Sequence, residues 1–417
     1  MRKQPSQLFF LTQKNRVLTA FSLTRLFQHR LAPVSALLTS TKAAPFRTVC
    51  VAVCLTMMAT WLNTLTLAIG RVRCVTVHDK NREQNLLALH EALLTKTFKT
   101  SPYDVFTIYE PKERIIYRLP YYPDRIVHHA VMNVLEPIWV RLFTYNTYSC
   151  IKGRGIEGCA RRVDKIIKSF EGKPLFCLKI DIKKCYPSMR HRVLKRLIRR
   201  KIKDKDLLWL LDEIIDSASM DDAGRPLTEA DKAQSDPEDA HGLPIGNYLS
   251  QYLANLCFCY FMHWVNEQLA ELVKKALRLT VKPRIECTEY ADDITFYAES
   301  KAVLHEVLKL IRVQLEDGLS LKIKGNYQIF PVAKNRYDRH GRALDYVGYK
   351  FFREQKLMRK SIKQNFCREA ARLNKREKPL SQKAYKQAVC PWLGWAKHSN
   401  SRHLLKTIIK QKYYGIL

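Results

Sequence analysis

The chain has 417 residues, 47% of them hydrophobic and only 14 of them Gly, which excludes a generally disordered or collagen-like protein. Its 72 Lys and Arg outnumber 39 Asp and Glu, a formal net charge of +33. Charge of that size repels itself in a compact fold unless a polyanion offsets it, so nucleic acid is the leading partner class and an anionic membrane surface the second.

Residues 1–78 differ from the rest of the chain. No Asp or Glu precedes Asp79, and no charged residue at all lies between Arg47 and Arg71. The run 49–69 is long enough to span a bilayer, although Thr56, Thr60, Asn63, Thr64 and Thr66 make it a polar one. It reads as a membrane anchor, as an acid-poor targeting segment, or as an extension outside the working protein. The break in composition at Asp79 favours the third.

From Glu83 the pattern is regular. Leu86, Leu89, Leu93 and Leu94 fall on one helical face. Residues 104–119 alternate as a two-stranded ribbon turning near Pro111-Lys112, with Lys112, Arg114 and Arg118 projecting. A helix follows over 124–142, and Tyr148-Ser-Cys-Ile-Lys-Gly-Arg-Gly155 is a compact basic segment with Lys152 and Arg154. Residues 175–182 alternate as a strand that carries Asp181 at its end, opposite an apolar face. A buried acid is costly there unless a cation or donor compensates it. The helix over 191–203 is rich in Lys and Arg. The stretch 217–240 gathers seven acids and reads as an exposed, mobile loop pointing away from any bound strand.

Gly242-Leu-Pro-Ile-Gly-Asn-Tyr-Leu-Ser-Gln251 is a loop opening a long helix, where backbone N–H groups favour phosphate. Strand periodicity then brackets Tyr290-Ala-Asp-Asp293, predicting a hairpin with Asp292 and Asp293 at its tip. Taken alone, an Asp-Asp pair is a solvated turn. An amphipathic helix follows over 301–315, and a turn and strand with Lys322 and Lys324 cover 319–330. Residues 344–352 read as one more strand, and the basic tail from Ser361 as helical, punctuated by Pro391 and restarted at Asn400-Ser401.

Asp181, Asp292 and Asp293 brought together would repel one another unless divalent cations sat between them, and all-oxygen ligation suits Mg²⁺. Two such ions can stabilise the attacking and leaving oxygens of phosphoryl transfer. The 12 Cys include no Cys-x-x-Cys pair, so zinc spacing is absent; they read as small buried hydrophobes in a reducing compartment.

In order, FCLKIDIKKCYPSM, GLPIGNYLSQ, YADD, LSLKIKGNYQIF and YVGYKFF resemble the successive motifs of reverse transcriptases. TIYEPKERIIYRLPYYPDRIVHHAVMNVLEPIW, the Ile-Gly form of the Gly loop and PWLGWAKHSNSRHLLKTI resemble, more narrowly, the enzymes of diversity-generating retroelements. The resemblance implies an α+β right-hand polymerase: an N-terminal extension over 1–78, fingers over 79–172, an antiparallel-sheet palm over 173–352 with an insertion at 190–241, and a basic helical thumb over 353–417. It implies two Mg²⁺ held by Asp181, Ile182, Asp292 and Asp293, and Lys324 as proton donor to the leaving group. Lys112 and Arg114 would hold the triphosphate, Tyr186 would exclude a 2′-OH, and Ile245 and Gly246 would line the nascent pair. Lys152, Arg154, Ser250, Gln251, Val347, Gly348 and Tyr349 would contact primer or template. Ile245 stands where related enzymes usually carry Gln, which fits error-prone copying opposite template adenines. The implied partners are a template-repeat RNA, a DNA or RNA primer, dNTPs and a basic accessory protein. The implied setting is bacterial or phage-associated cytoplasm, with membrane attachment through 49–69 the less favoured option. Group II intron and retron enzymes share the acids and the hairpin, and an inactive RNA-binding scaffold would have no use for them. No RNase H or endonuclease segment follows the tail, which the narrower reading also expects.

Overall fold

A computed structural model describes residues 73–109, 113–376 and 380–409. The apolar run 49–69, with the anchor and targeting readings attached to it, lies outside them, as does Lys112. Among the described residues no helix is long and apolar enough to cross a membrane.

Helices Arg73–Lys80 (α1) and Arg82–Leu94 (α2) lead into an antiparallel ribbon of Asp104–Ile108 (β1) and Arg114–Arg118 (β2), with Asp104 opposite Arg118 and the two side chains in an ion pair. Only Leu89 of the expected α2 stripe is fully buried, and Leu94 stands exposed. After a wide turn at Tyr121–Arg125 comes Ile126–Leu142 (α3), then Gly155–Ser169 (α4). Phe176–Asp181 (β3) is followed by His191–Arg199 (α5), Lys205–Asp216 (α6), Glu229–Gln234 (α7), Tyr248–Trp264 (α8) and Ala270–Ala276 (α9). Glu286–Tyr290 (β4) and Asp293–Ala298 (β5) form the predicted hairpin, and Lys301–Leu319 (α10) precedes Gln328–Pro331 (β6). A small sheet of Leu344–Tyr346 (β7), Tyr349–Phe351 (β8) and Lys356–Met358 (β9) closes onto helices Lys360–Asn374 (α11), Gln382–Lys397 (α12) and Arg402–Ile408 (α13).

The central sheet is wholly antiparallel, in the order β4-β5-β3-β6. Leu178, Ile180 and Ile182 join Ile294 and Phe296 in one large core with α3, α5, α8 and α10. On the sheet's other face, Cys177, Tyr297 and Phe330 pack with Tyr346, Phe351 and the buried side of α4. Helix α8 is buried almost all round, which explains why its sequence is apolar beyond a single stripe.

Three expectations change. Residues 217–240 are not a free loop. Thr228 and Asp231 form a capping box on α7, Met220 is buried, and His191 N–H donates to the Ala240 carbonyl at 2.9 Å. The segment packs against the turn after Asp181 rather than standing off from it, with Lys184 Nζ donating to the Asp222 carbonyl at 2.7 Å. Residues 344–352 are two strands, because Val347 and Gly348 both take positive φ and make a two-residue hairpin turn. Pro391 does not break the tail helix. Burial of Tyr385, Val389 and Ala396, with Trp392 stacked on Phe366, holds α12 together across it.

Candidate active site

Strand β3 carries Asp181 to one end of the sheet. The residues between its polar positions are wholly buried, leaving Lys179 and Asp181 on the opposite face. Asp181 lies directly across from Asp293 in the β3–β5 register, so the strand end and the hairpin tip are neighbours. The tip is tight: Tyr290 pairs with Asp293 over Ala291 and Asp292, with Ala291 at φ +56°. Backbone bonds fix the arrangement, from Ile182 N–H to the Asp292 carbonyl (3.3 Å) and from Lys324 N–H to the Asp181 carbonyl (2.9 Å).

The three acids feel one another. Burial, then the charges of Asp181 and Asp293, push the Asp292 carboxyl above its ordinary range, with Lys324 opposing. Lys324 Nζ donates to Asp181 Oδ1 at 2.7 Å. Lys179 Nζ lies 3.7 Å from Asp293 Oδ1, donates to the Asp345 carbonyl at 2.9 Å and sits 5.9 Å from the centre of the Tyr346 ring. With two carboxylates turned toward these lysines, no three His, Cys, Asp or Glu groups among the described residues stand as a ready-made ligand cluster. The donor chemistry nevertheless fits a hard divalent cation. The set is carboxylate oxygen only, and the acid that is disfavoured when charged, Asp292, feels the charges of both others. A cation would take over the compensation of Asp181 that Lys324 now supplies.

The Gly loop is fastened to the same region. Leu243 N–H donates to the Tyr186 carbonyl (2.9 Å) and Gly242 N–H to Met189 (3.0 Å), while Tyr117 N–H of β2 donates to the Ile245 carbonyl (2.8 Å). Gly246 is required here. Its φ is +119°, and a Cβ would sit 3.1 Å from the Tyr117 carbonyl oxygen. Tyr186, Ile245, Gly246 and the exposed Arg114 are thereby gathered around the turn that follows Asp181. Burial first, and Asp292 among its neighbours, raise the Tyr186 hydroxyl, whereas Arg114 lowers it.

The other candidates divide. Lys152 is exposed, but Arg154 Nη1 donates to the Thr144 and Thr147 carbonyls, so its guanidinium holds the loop before α4. Gln251 is half-buried and Ser250 is interior. Val347, like Tyr290 of the hairpin, is partly buried against the second core. Gly348 is covered by Trp395, and Tyr349 is 2% exposed with its ring 5.0 Å from that of Trp395. As placed, Ser250 and Tyr349 present no surface to a primer or template.

Residues that sequence patterns did not single out also shape the site. Lys179 was legible as the i−2 neighbour of Asp181 on one strand face. Tyr346, whose hydroxyl donates to the Asp293 carbonyl at 3.0 Å, had no local signal. Glu289 on β4 had no local signal either; it is wholly buried on the sheet face opposite Asp293 and accepts from Thr147 Oγ1 at 2.7 Å.

The pattern that defines reverse transcriptase (RNA-dependent DNA polymerase) matches residues 110–326, more than half of the chain. The chain belongs to that family. Reverse transcriptase domains generally use divalent metal ions, the chemistry that the aspartates fit. Protein YkfC of Escherichia coli (strain K12) is 23% identical over 261 residues, covering 57% of this reverse transcriptase and 65% of YkfC. A putative COX1/OXI3 intron 1 protein of Saccharomyces cerevisiae (strain ATCC 204508 / S288c) is 22% identical over 185 residues, 43% of this chain and 20% of that protein. The chain thus spans less than two thirds of either relative. Among solved structures, telomerase of Candida tropicalis with a TWJ fragment of telomeric RNA superposes with a TM-score of 0.41 at 12% identity, over 76% of this chain and 58% of that one. The corresponding telomerase complex of Candida albicans gives 0.40 at 12%, over 75% and 55%. Likenesses of that size carry no argument about function.

Proposed function

We propose that this reverse transcriptase makes DNA on an RNA template by in-line attack of a primer 3′-hydroxyl on a deoxynucleoside triphosphate. The observation that carries the reading is the meeting of Asp181, Asp292 and Asp293 at one end of the sheet, with Lys324 on Asp181 at 2.7 Å. Asp181, the Ile182 carbonyl, Asp292 and Asp293 would hold two Mg²⁺, which when bound stabilise charge on the attacking and leaving oxygens. Lys324, released from Asp181, would give a proton to the departing pyrophosphate. Arg114 and Lys112 would neutralise the triphosphate. Tyr186 would lie under the sugar, where a 2′-OH has no room. Asp292→Ala with Asp293→Ala should abolish Mg²⁺-dependent, RNA-templated synthesis; a double variant as active as the parent would overturn the proposal.

The finer reading is a diversity-generating enzyme that copies a template-repeat RNA with errors at adenines, for mutagenic retrohoming, with a basic accessory protein as partner and a cytoplasmic setting. Ile245 supports it. Its backbone is pinned to β2 at 2.8 Å, so an apolar side chain is held at a fixed place beside the site. Replacing Ile245 by Gln should lower misincorporation opposite adenine, and an unchanged error spectrum would count against that role. A second reading, an intron-encoded enzyme, is favoured by the name of the yeast relative. Accurate copying of adenines by the parent protein would favour it.

A further inference from the structure

The loop between β6 and β7, residues 332–343, lies away from the aspartates. Phe176 pairs with Pro331, five residues along β3 from Asp181, so the loop starts about 17 Å from the catalytic end of the sheet. It carries Lys334, Arg336, Arg339 and Arg342 against a single acid, Asp338, for a net +3. Tyr337 stands at its crest, 72% exposed, with the Arg336 guanidinium 4.6 Å from the ring centre. An aromatic ring left this open contributes nothing to the core, and a net +3 on one short loop repels itself.

The loop is nevertheless rigidly built. Asp338 accepts from the backbone N–H groups of Lys334 (2.7 Å) and His340 (2.8 Å), and Asn335 Oδ1 accepts from Tyr337 N–H (3.0 Å). The loop's one acid is therefore turned inward on the backbone while Arg336 and Arg339 stand outward; Lys334 Nζ lies 3.7 Å from Glu354 Oε1 and the Arg342 guanidinium 5.2 Å from the Phe330 ring centre. Ala333 and Arg342 bond across the neck at 2.9 Å, and Arg353 N–H donates to the Ala333 carbonyl at 2.9 Å. Gly341 lets the two sides of the neck close, since a Cβ there would meet the Ala333 backbone at 2.6 Å. This is a fixed surface that offers one flat ring flanked by cations.

We infer that residues 334–342 form a second, non-catalytic site for single-stranded RNA, which stacks a base on Tyr337 and takes phosphates on Arg336, Arg339 and Arg342. Stacking on an exposed aromatic suits every base, and cations beside it track the backbone. An acidic peptide or an anionic membrane would use the charges but would leave the exposed ring and its fixed orientation unexplained. That such a strand is present rests on the polymerase reading; the chemistry of the loop does not. The site would hold template several nucleotides away from the reacting position.

The test compares the affinity of the full chain for two RNA-templated primer duplexes, one blunt and one with a single-stranded RNA extension. The quantity read is the ratio of the two affinities. Tyr337→Ala should reduce that ratio about tenfold, and Tyr337→Phe should restore it. Arg336→Ala with Arg339→Ala should lower the salt dependence of the extended duplex by about one unit of log–log slope per arginine. A ratio unchanged by Tyr337→Ala, including one where both affinities fall together, would overturn the inference. So would loss of binding to phosphatidylserine vesicles with the RNA ratio intact. Absence of nucleotide incorporation by the parent chain would sink the polymerase reading instead, and the binding ratio is read independently of it.

Discussion

Replacing Glu289 by Gln separates the electrostatic cost of a buried acid from its packing. Glu289 has no exposure, and among the described residues its Oε1 has no partner and its only side-chain donor is Thr147 Oγ1 at 2.7 Å. Burial pushes its carboxyl from an ordinary 4.5 up to about 8. Between those values the folded chain keeps a proton that the unfolded chain has lost, so stability falls as pH rises through the window and levels off above it. A full shift of that size corresponds to roughly 4–5 kcal/mol, of which about 2.5 kcal/mol falls between about pH 6 and about pH 8.5. Glutamine reproduces the shape and neutrality of the protonated acid and cannot ionise. Near pH 6 the variant should already be the more stable by about 2 kcal/mol in urea denaturation, because the unfolded parent has lost the proton that the folded parent keeps. By about pH 8.5 that advantage should have grown by a further roughly 2–3 kcal/mol, with contributions from other groups cancelling in the difference. Parallel pH profiles for the two proteins would refute the reasoning, because they would mean that Glu289 is already ionised or solvated in the fold.

Other expectations rest on the same geometry. Asp292→Asn removes the acid that burial and two carboxylates disfavour when charged. It should cost at least about a thousandfold in incorporation rate while leaving thermal stability unchanged or raised, as measured by primer extension and calorimetry. Chelation of divalent ions should stop synthesis, and readdition of Mg²⁺ should restore it. Gly348→Ala forces a side chain into the Trp395 ring at a φ of +84°, so urea unfolding should show a loss of roughly 2–4 kcal/mol; less than about 0.5 kcal/mol would show that Trp395 moves aside freely. Thr147→Val leaves the Glu289 carboxyl without its hydroxyl donor and should destabilise by about 1–3 kcal/mol, an effect that shrinks when Glu289 is already Gln.

What the sequence determined by itself is the chemistry and its order along the chain. Alternation marked β3 and the hairpin β4–β5, and an Asp at each of their meeting ends stood out because acids are unfavourable in strands. The Gly loop was legible because Gly246 needs a backbone that other residues resist. Local pattern was misleading where distant contacts outweighed it. Pro391 reads as a helix break until Phe366 and the buried stripe of α12 hold the turn. The acidic stretch 217–240 reads as loose until it meets the turn after Asp181. Which basic residues face a ligand was equally undecided. Arg154 is taken by two carbonyls and Lys324 by Asp181, whereas Arg336 and Arg339 stand outward on a loop whose only acid is turned inward. Only tertiary structure decided that Tyr346 holds the Asp293 carbonyl and that Glu289 is buried against Thr147, because their partners lie on other elements, and no periodicity within one strand encodes a contact across a fold.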